Sequence, residues 1–308
     1  MCAWLARDIP LSIPIETSLK EDLKYAFNIS MLRPVEFSRL LDVHPSQLPI
    51  CPTGFILDWI NLVHNGCTSY TLRDSITLDI GTTVHRCFQN CLPAFAGSRM
   101  LGDWKCNKCG HMHQFCIKPH ECIICKSNSF TYEELPIKYK GFAGHIDTIY
   151  KTDTGVAIVD YKTATLSNFK EKADNPGIGY QSQIRAYALL VKLQYKLVCT
   201  DAFLVFIAKE KPAPENIAIY HEKITKQKLH DTFLFLQHQR SLKRQLLSIK
   251  TFDEFMKLKP EPCMNPYCKA CKDHKESLRY IKEHWNSDLF PIADYIQEKL
   301  GGLSIQSN

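Results

Sequence analysis

The chain has 308 residues, of which 45% are hydrophobic, and 38 Lys and Arg against 32 Asp and Glu give a formal charge of +6. That composition can bury a sizeable core in one large domain or two modest ones, which excludes global disorder, and the mild basicity is compatible with nucleic acid without requiring it. No apolar run approaches the roughly 20 residues that span a bilayer, and the N-terminus has no basic region followed by a long apolar run, so a cytoplasmic, intracellular protein with no membrane contact is expected.

Residues 1–50 read as short helices and loops punctuated by prolines at 10, 14, 34, 45 and 49. An apolar helix is expected over 51–64, opening after Pro52. A second helix is expected to start at Gly81, with Val84, Phe88, Cys91 and Leu92 at helical spacing and His85 beside them. Residues 131–163 read as strands, Gly179 to about Tyr195 as a helix, 201–208 as a buried strand and 225–249 as a long helix. Arg240, Lys243 and Arg244 share one face of that last helix, which reads most simply as a solvated stripe. The order helix, strands, helix, strand implies an α/β core with helical flanks.

Within the strand region, Ile146–Tyr150 and Val156–Tyr161 read as the arms of a β-hairpin around a four-residue loop, Thr152-Asp153-Thr154-Gly155. That loop pairs Lys151 with Val156 and puts Asp147 opposite Asp160. Lys162 lies two residues beyond Asp160 and shares its face. Opposed carboxylates destabilise a sheet unless a cation lies between them. The same three residues also fit a solvated surface salt bridge.

His85 upstream offers an imidazole nitrogen that suits Mn²⁺ or Mg²⁺ beside two carboxylates. Gln183 and Tyr187, four apart on a helix, share a face that fits either phosphate contact or packing on the sheet. Lys209, Lys211, Lys223, Lys226 and Lys228 could track a phosphate backbone or be ordinary solvated lysines.

Fourteen cysteines is a high count, and in a reducing compartment clustered cysteines indicate metals rather than disulfides. Cys106-x-x-Cys109 and Cys122-x-x-Cys125 have the paired-knuckle spacing of a structural zinc ribbon. His111, His113, Cys116 and His120 between them are substitute ligands, but the four cysteines are preferred because both pairs form knuckles. Cys263, Cys268 and Cys271 form a second group without an evident fourth member. Cys2, Cys67, Cys87, Cys91, Cys116 and Cys199 are scattered and read as small buried apolar residues.

In this order, His85, Glu134 in Glu-Leu-Pro, Asp147 in Gly-His-Ile-Asp, Asp160-Tyr-Lys162 and Gln183-x-x-x-Tyr187 resemble the motifs of the RecB-like branch of the PD-(D/E)XK nuclease superfamily, from about residue 51 to 271. The pattern is most similar to the iron–sulfur nucleases of CRISPR adaptation and AddB-type helicase–nucleases. The resemblance implies a restriction-endonuclease-like α/β core, a mixed central sheet flanked by helices. It divides the chain into an N-terminal helical part (1–103), a zinc-ribbon insertion (104–127), a catalytic core (128–220) and a C-terminal helical part with the last cysteine group (221–308).

It also implies that His85, Asp147, Asp160 and the Tyr161 carbonyl hold Mg²⁺ or Mn²⁺, and that Lys162 activates water or stabilises the charged phosphorane. Glu134 would hydrogen-bond near the site or bind a second metal, and Gln183 and Tyr187 would complete the catalytic set. Cys51 resembles the isolated first ligand of a [4Fe–4S] cluster completed by Cys263, Cys268 and Cys271, although here the gap of four precedes the gap of two. Zinc on Cys263, Cys268, Cys271 and His274 is the alternative.

The expected function is a metal-dependent DNA exonuclease acting on single strands or duplex ends. The alternatives are a structure-specific endonuclease and a non-catalytic DNA- or protein-binding module built on the ribbon. DNA and a replication, recombination or helicase protein are the expected partners. A phage protein in its host's cytoplasm is among the settings that fit.

Overall fold

The computed structural model describes residues 30–33, 40–65, 68–263 and 268–299. Cys2, Cys67 and most of the proline-punctuated start lie outside them.

The core is a mixed sheet of seven strands. Strands β3 (Met100–Cys106), β4 (Met112–Ile117), β5 (Phe130–Glu133), β8 (Thr148–Thr152), β9 (Gly155–Ala164), β10 (Cys199–Ala208) and β11 (Ile217–Lys223) form it in the order β11-β10-β9-β8-β3-β4, with β5 also paired to β3. Only β9 and β10 run parallel. A parallel pair needs a crossover, supplied here by helices α3 (Phe169–Asp174) and α4 (Gly177–Tyr195). Two small sheets lie apart: β1 (Ser30–Arg33) with β2 (Thr68–Thr71), and β6 (Leu135–Tyr139) with β7 (Phe142–Ile146).

The period-2 geometry of β9 sends alternate residues to opposite faces, and both faces are covered. Val159 and Tyr161 meet Val84, Phe88 and Leu92 of helix α2 (Leu72–Ala96), where Phe88 stacks on Tyr161 with ring centroids 5.0 Å apart. On the other face Asp160 and Lys162 look toward α4, whose Ile184 packs with Phe169, Leu204 and Phe206. Helix α2 begins nine residues before Gly81, which sits in its interior rather than at its start. The apolar spacing located the part that touches the sheet, and the preceding turns lie exposed over Ile76–Ile80.

The expected pairing of Lys151 with Val156 is present, but the ladder also closes Thr152 on Gly155, leaving a two-residue turn at Asp153-Thr154. Gly155 makes this possible because a Cβ there would lie 2.2 Å from the Val198 carbonyl oxygen, which accepts a hydrogen bond from Val156 N at 2.9 Å. Ile146 is not in this hairpin; it pairs with Leu135 in the β6–β7 ladder, and the chain bends at Asp147 between the two.

The two ends of the described chain pack together. Helix α1 (Pro52–Asn65) buries Ile56, Trp59 and Ile60 in the same apolar cluster as Ile281, Ile292 and Ile296. These come from helices α6 (His274–Glu283) and α7 (Ile292–Lys299). Trp59 donates to the Leu289 carbonyl at 3.3 Å and meets Tyr295 edge to face. Helix α5 (Lys226–Ser248) is capped by the Thr225 hydroxyl, which accepts from Lys228 N. Its basic face is not a uniformly solvated stripe. Lys243 is 3% exposed and lies 4.5 Å over the Phe55 ring, because its stem packs where α5 meets α1.

Candidate active site

The site lies where the sheet opens. The β8–β9 ladder ends at Thr148 opposite Val159, and the bend at Asp147 carries β7 away, while β9 continues beside β10 as far as Ala164. Tyr161 N therefore has no β8 partner, and it donates instead to Asp147 Oδ2 at 2.7 Å. This bond turns the Asp147 carboxylate across the gap, so the simple picture of two opposed carboxylates is replaced by a staggered pair.

His85 comes from α2, with Nδ1 3.4 Å from Asp147 Oδ2. Burial disfavours the His85 imidazolium, but Asp147 outweighs it and raises the pKa above the usual histidine value. Glu134, at the junction of β5 and β6, supplies the third group: donor atoms of His85, Glu134 and Asp147 all lie within 4.8 Å of one another. Asp160 is outside this trio. Its Oδ1 accepts from Gln183 Nε2 at 3.2 Å, and Lys162 Nζ lies 2.6 Å from its Oδ2.

The Lys162–Asp160 contact is close but poorly directed, so Oδ2 is buried without a proper hydrogen bond. Burial pushes the Asp160 carboxyl well above the ordinary aspartate range, with Lys162 pulling the other way and Asp147 adding to the rise. Lys162 shows the converse. Burial works against its charge, yet Asp160 and Asp147 prevail and keep it a firm ammonium, 5.5 Å over the Tyr180 ring.

An imidazole, carboxylate oxygens and an underbonded buried oxygen fit a hard divalent cation. Glu134 converges more closely with His85 and Asp147 than Asp160 does. No contact among the described residues fixes a role for the Tyr161 carbonyl.

Tyr187 is buried, which raises its phenol pKa, and it packs against Gly144, where a Cβ would lie 3.2 Å from the ring. It therefore supports the strand leading to Asp147. Gln89 was missed by sequence reading. It sits one helical turn after His85, and its Nε2 donates to Glu134 Oε1 at 2.6 Å. The i,i+4 spacing from His85 was the available signal. Two of the lysines considered for a backbone track are already engaged: Lys223 pairs with Asp201 at 2.7 Å and Lys228 with Glu222 at 2.8 Å.

Both cysteine groups assemble. Cys106, Cys109, Cys122 and Cys125 bring their sulfurs within 4.8 Å of one another. The two knuckles close alike, Gly110 N donating to Cys106 O and Lys126 N to Cys122 O, both at 2.9 Å, with left-handed backbone at Gly110 and Lys126. His111, His113, Cys116 and His120 stay outside the ligand group. The strand carrying Cys106 begins in the central sheet, where Met100 pairs with Tyr150, so the ribbon grows from the sheet's edge. Cys51, Cys263, Cys268 and Cys271 form the second group, and Cys51 rather than His274 is its fourth member. Of the scattered cysteines, Cys199 is buried as expected, Cys116 is half-buried, and Cys87 and Cys91 are exposed.

A mixed sheet that splits beside an imidazole, three carboxylates and a lysine defines a nuclease-type α/β enzyme core. The family model of the PD-(D/E)XK nuclease superfamily matches residues 119–272, half of the 308-residue chain, and the chain belongs to that superfamily. Among solved structures it is similar to the alkaline exonuclease LHK-Exo from Laribacter hongkongensis, with TM-score 0.41 and 11% identity over 72% of this chain and 93% of that one. The complex of LHK-Exo with dAMP gives TM-score 0.38 and 11% identity over 68% and 93%. No curated protein matches the chain significantly.

Proposed function

We propose that this chain is a divalent-metal-dependent DNA nuclease that digests from the ends of single strands or duplexes. The observation that carries the reading is the arrangement at the split sheet: His85, Glu134 and Asp147 converge, with buried Asp160 paired to half-buried Lys162 on the adjoining strand. His85, Asp147 and Asp160, joined by Glu134, would hold Mg²⁺ or Mn²⁺, which when bound supplies Lewis acidity at a phosphoryl oxygen and an acidified water.

The remaining work falls to the chain. Tyr161 N–H fixes the Asp147 carboxylate, Gln183 fixes Asp160, and Gln89 fixes Glu134. Lys162, held charged, would stabilise negative charge developing on the phosphate. Tyr187 and Gly144 hold β7 in place. The preference for ends follows the motif pattern rather than any one residue. The ribbon is read as a zinc-stabilised support for DNA or for a replication, recombination or helicase partner.

The test is cleavage of end-labelled linear DNA and of covalently closed circular single- and double-stranded DNA, with Mg²⁺ or Mn²⁺ and with chelator. Progressive loss of linear substrate only, stopped by chelator, is expected. Cutting of closed circles would establish an endonuclease, and binding without cleavage in any metal would establish a non-catalytic module.

A further inference from the structure

We infer that the second cysteine group is a single-ion tetrathiolate zinc site, not an iron–sulfur cluster, and that it staples the start of α1 to the C-terminal helices. The inference concerns structural metal and does not depend on the nuclease reading.

The spacing of the sulfurs is the first observation. Cys51 Sγ lies 3.3 Å from Cys271 Sγ and 3.7 Å from Cys268 Sγ, and all four sulfurs lie within 4.8 Å of one another. With Zn–S bonds of about 2.3 Å, a tetrahedron of thiolates has edges of roughly 3.8 Å. A four-iron cluster instead spreads its thiolates, one on each iron, around a cube of eight atoms. Sulfurs this close enclose room for one ion and none for the cube.

The sulfurs of the CxxC pairs show the same spacing: Cys106 to Cys125 is 3.5 Å and Cys109 to Cys122 is 3.6 Å.

The backbone is the second observation. Lys272 N donates to Cys268 O at 3.0 Å, the backbone bond of the short helix Lys269–Lys272 that Cys268 caps. Cys268 and Cys271 are thus held about one helical turn apart, without the left-handed residue that ends both ribbon knuckles. Amide groups also point at the sulfurs: Gly54 N donates to Cys51 Sγ at 3.3 Å and Cys263 N to Cys271 Sγ at 3.1 Å. Such bonds suit a thiolate bound to either kind of centre, so the choice of a single ion rests on the sulfur spacing. Cys51 and Cys271 are 220 positions apart, so one ion closes nearly the whole described chain into a loop.

The full chain should be expressed with both iron and zinc supplied, purified without oxygen, and assayed for zinc, iron and acid-labile sulfide. About two zinc ions per chain and no visible absorption near the blue are expected, unchanged by anaerobic treatment with ferrous iron and sulfide. Cys268→Ser with Cys271→Ser should lose one zinc, and Cys109→Ser with Cys125→Ser the other. If those variants do not fold, cobalt titration of the metal-stripped wild type should saturate at about two tetrathiolate equivalents. Four iron and four sulfide beside one zinc would overturn the inference, as would saturation at one equivalent.

Discussion

Each residue of the candidate site acts through its immediate surroundings. Asp160 and Lys162 were legible because a two-residue spacing on a strand fixes a shared face. Asp147 was legible from hairpin register, but its orientation was not, because that depends on a bend and on the unpaired amide of Tyr161. Glu134 and Gln89 come from segments distant in sequence, and only the fold shows that they meet.

Lys243 shows the limit of helical face arguments, since three basic residues on one face were read alike although one of them is buried. Its burial lowers the ammonium pKa from 10.5 to about 8, with Asp42 opposing. Below about pH 8 folded and unfolded chains both carry this charge and the full burial penalty applies, on the order of 3 kcal/mol. Between about pH 8 and 10.5 the folded state gives up the proton first, so stability rises with pH. Lys243→Met is therefore expected to stabilise the protein at pH 7 by about 2 kcal/mol, after allowing for the lost contact with Phe55. Urea unfolding should show the gain fading as the pH approaches 10.5.

Among the elements, the hairpin decides most. Its register came from alternation and a turn glycine. The shorter turn did not, because it depends on the close approach of Val198 from the strand entering β10. Replacing Gly155 by Ala puts a methyl 2.2 Å from a backbone oxygen that cannot move aside cheaply. The substitution is expected to cost about 1–3 kcal/mol in thermal or urea unfolding, since overpacking at a close approach must shift backbone. Unchanged stability would mean that β9 and the Val198 segment slide freely. Helix α2 was shortened in the sequence reading because Ile76–Ile80, ahead of Gly81, are exposed, and exposed turns carry no apolar face to detect.

At the scale of the molecule, the α/β class and the order of elements followed from the alternation of helical and strand periods. The junction of the two ends did not. It is made by Trp59, Ile281, Ile292 and the sulfurs of Cys51 and Cys271, pairs too distant for any local pattern. The superfamily match begins at residue 119, after His85, so α2 contributes its site residue from outside the matched region. Among the described residues no helix is long and apolar enough to cross a membrane. The central claim is that the split in the sheet is a metal-dependent cleavage site. The most direct measurement compares wild type and Asp160→Ala on end-labelled linear DNA across a Mn²⁺ titration, with circular dichroism and unfolding run in parallel. The variant is expected to fold and to lose cleavage by at least about 100-fold at every Mn²⁺ concentration. Cleavage by a folded Asp160→Ala at the wild-type rate would contradict it.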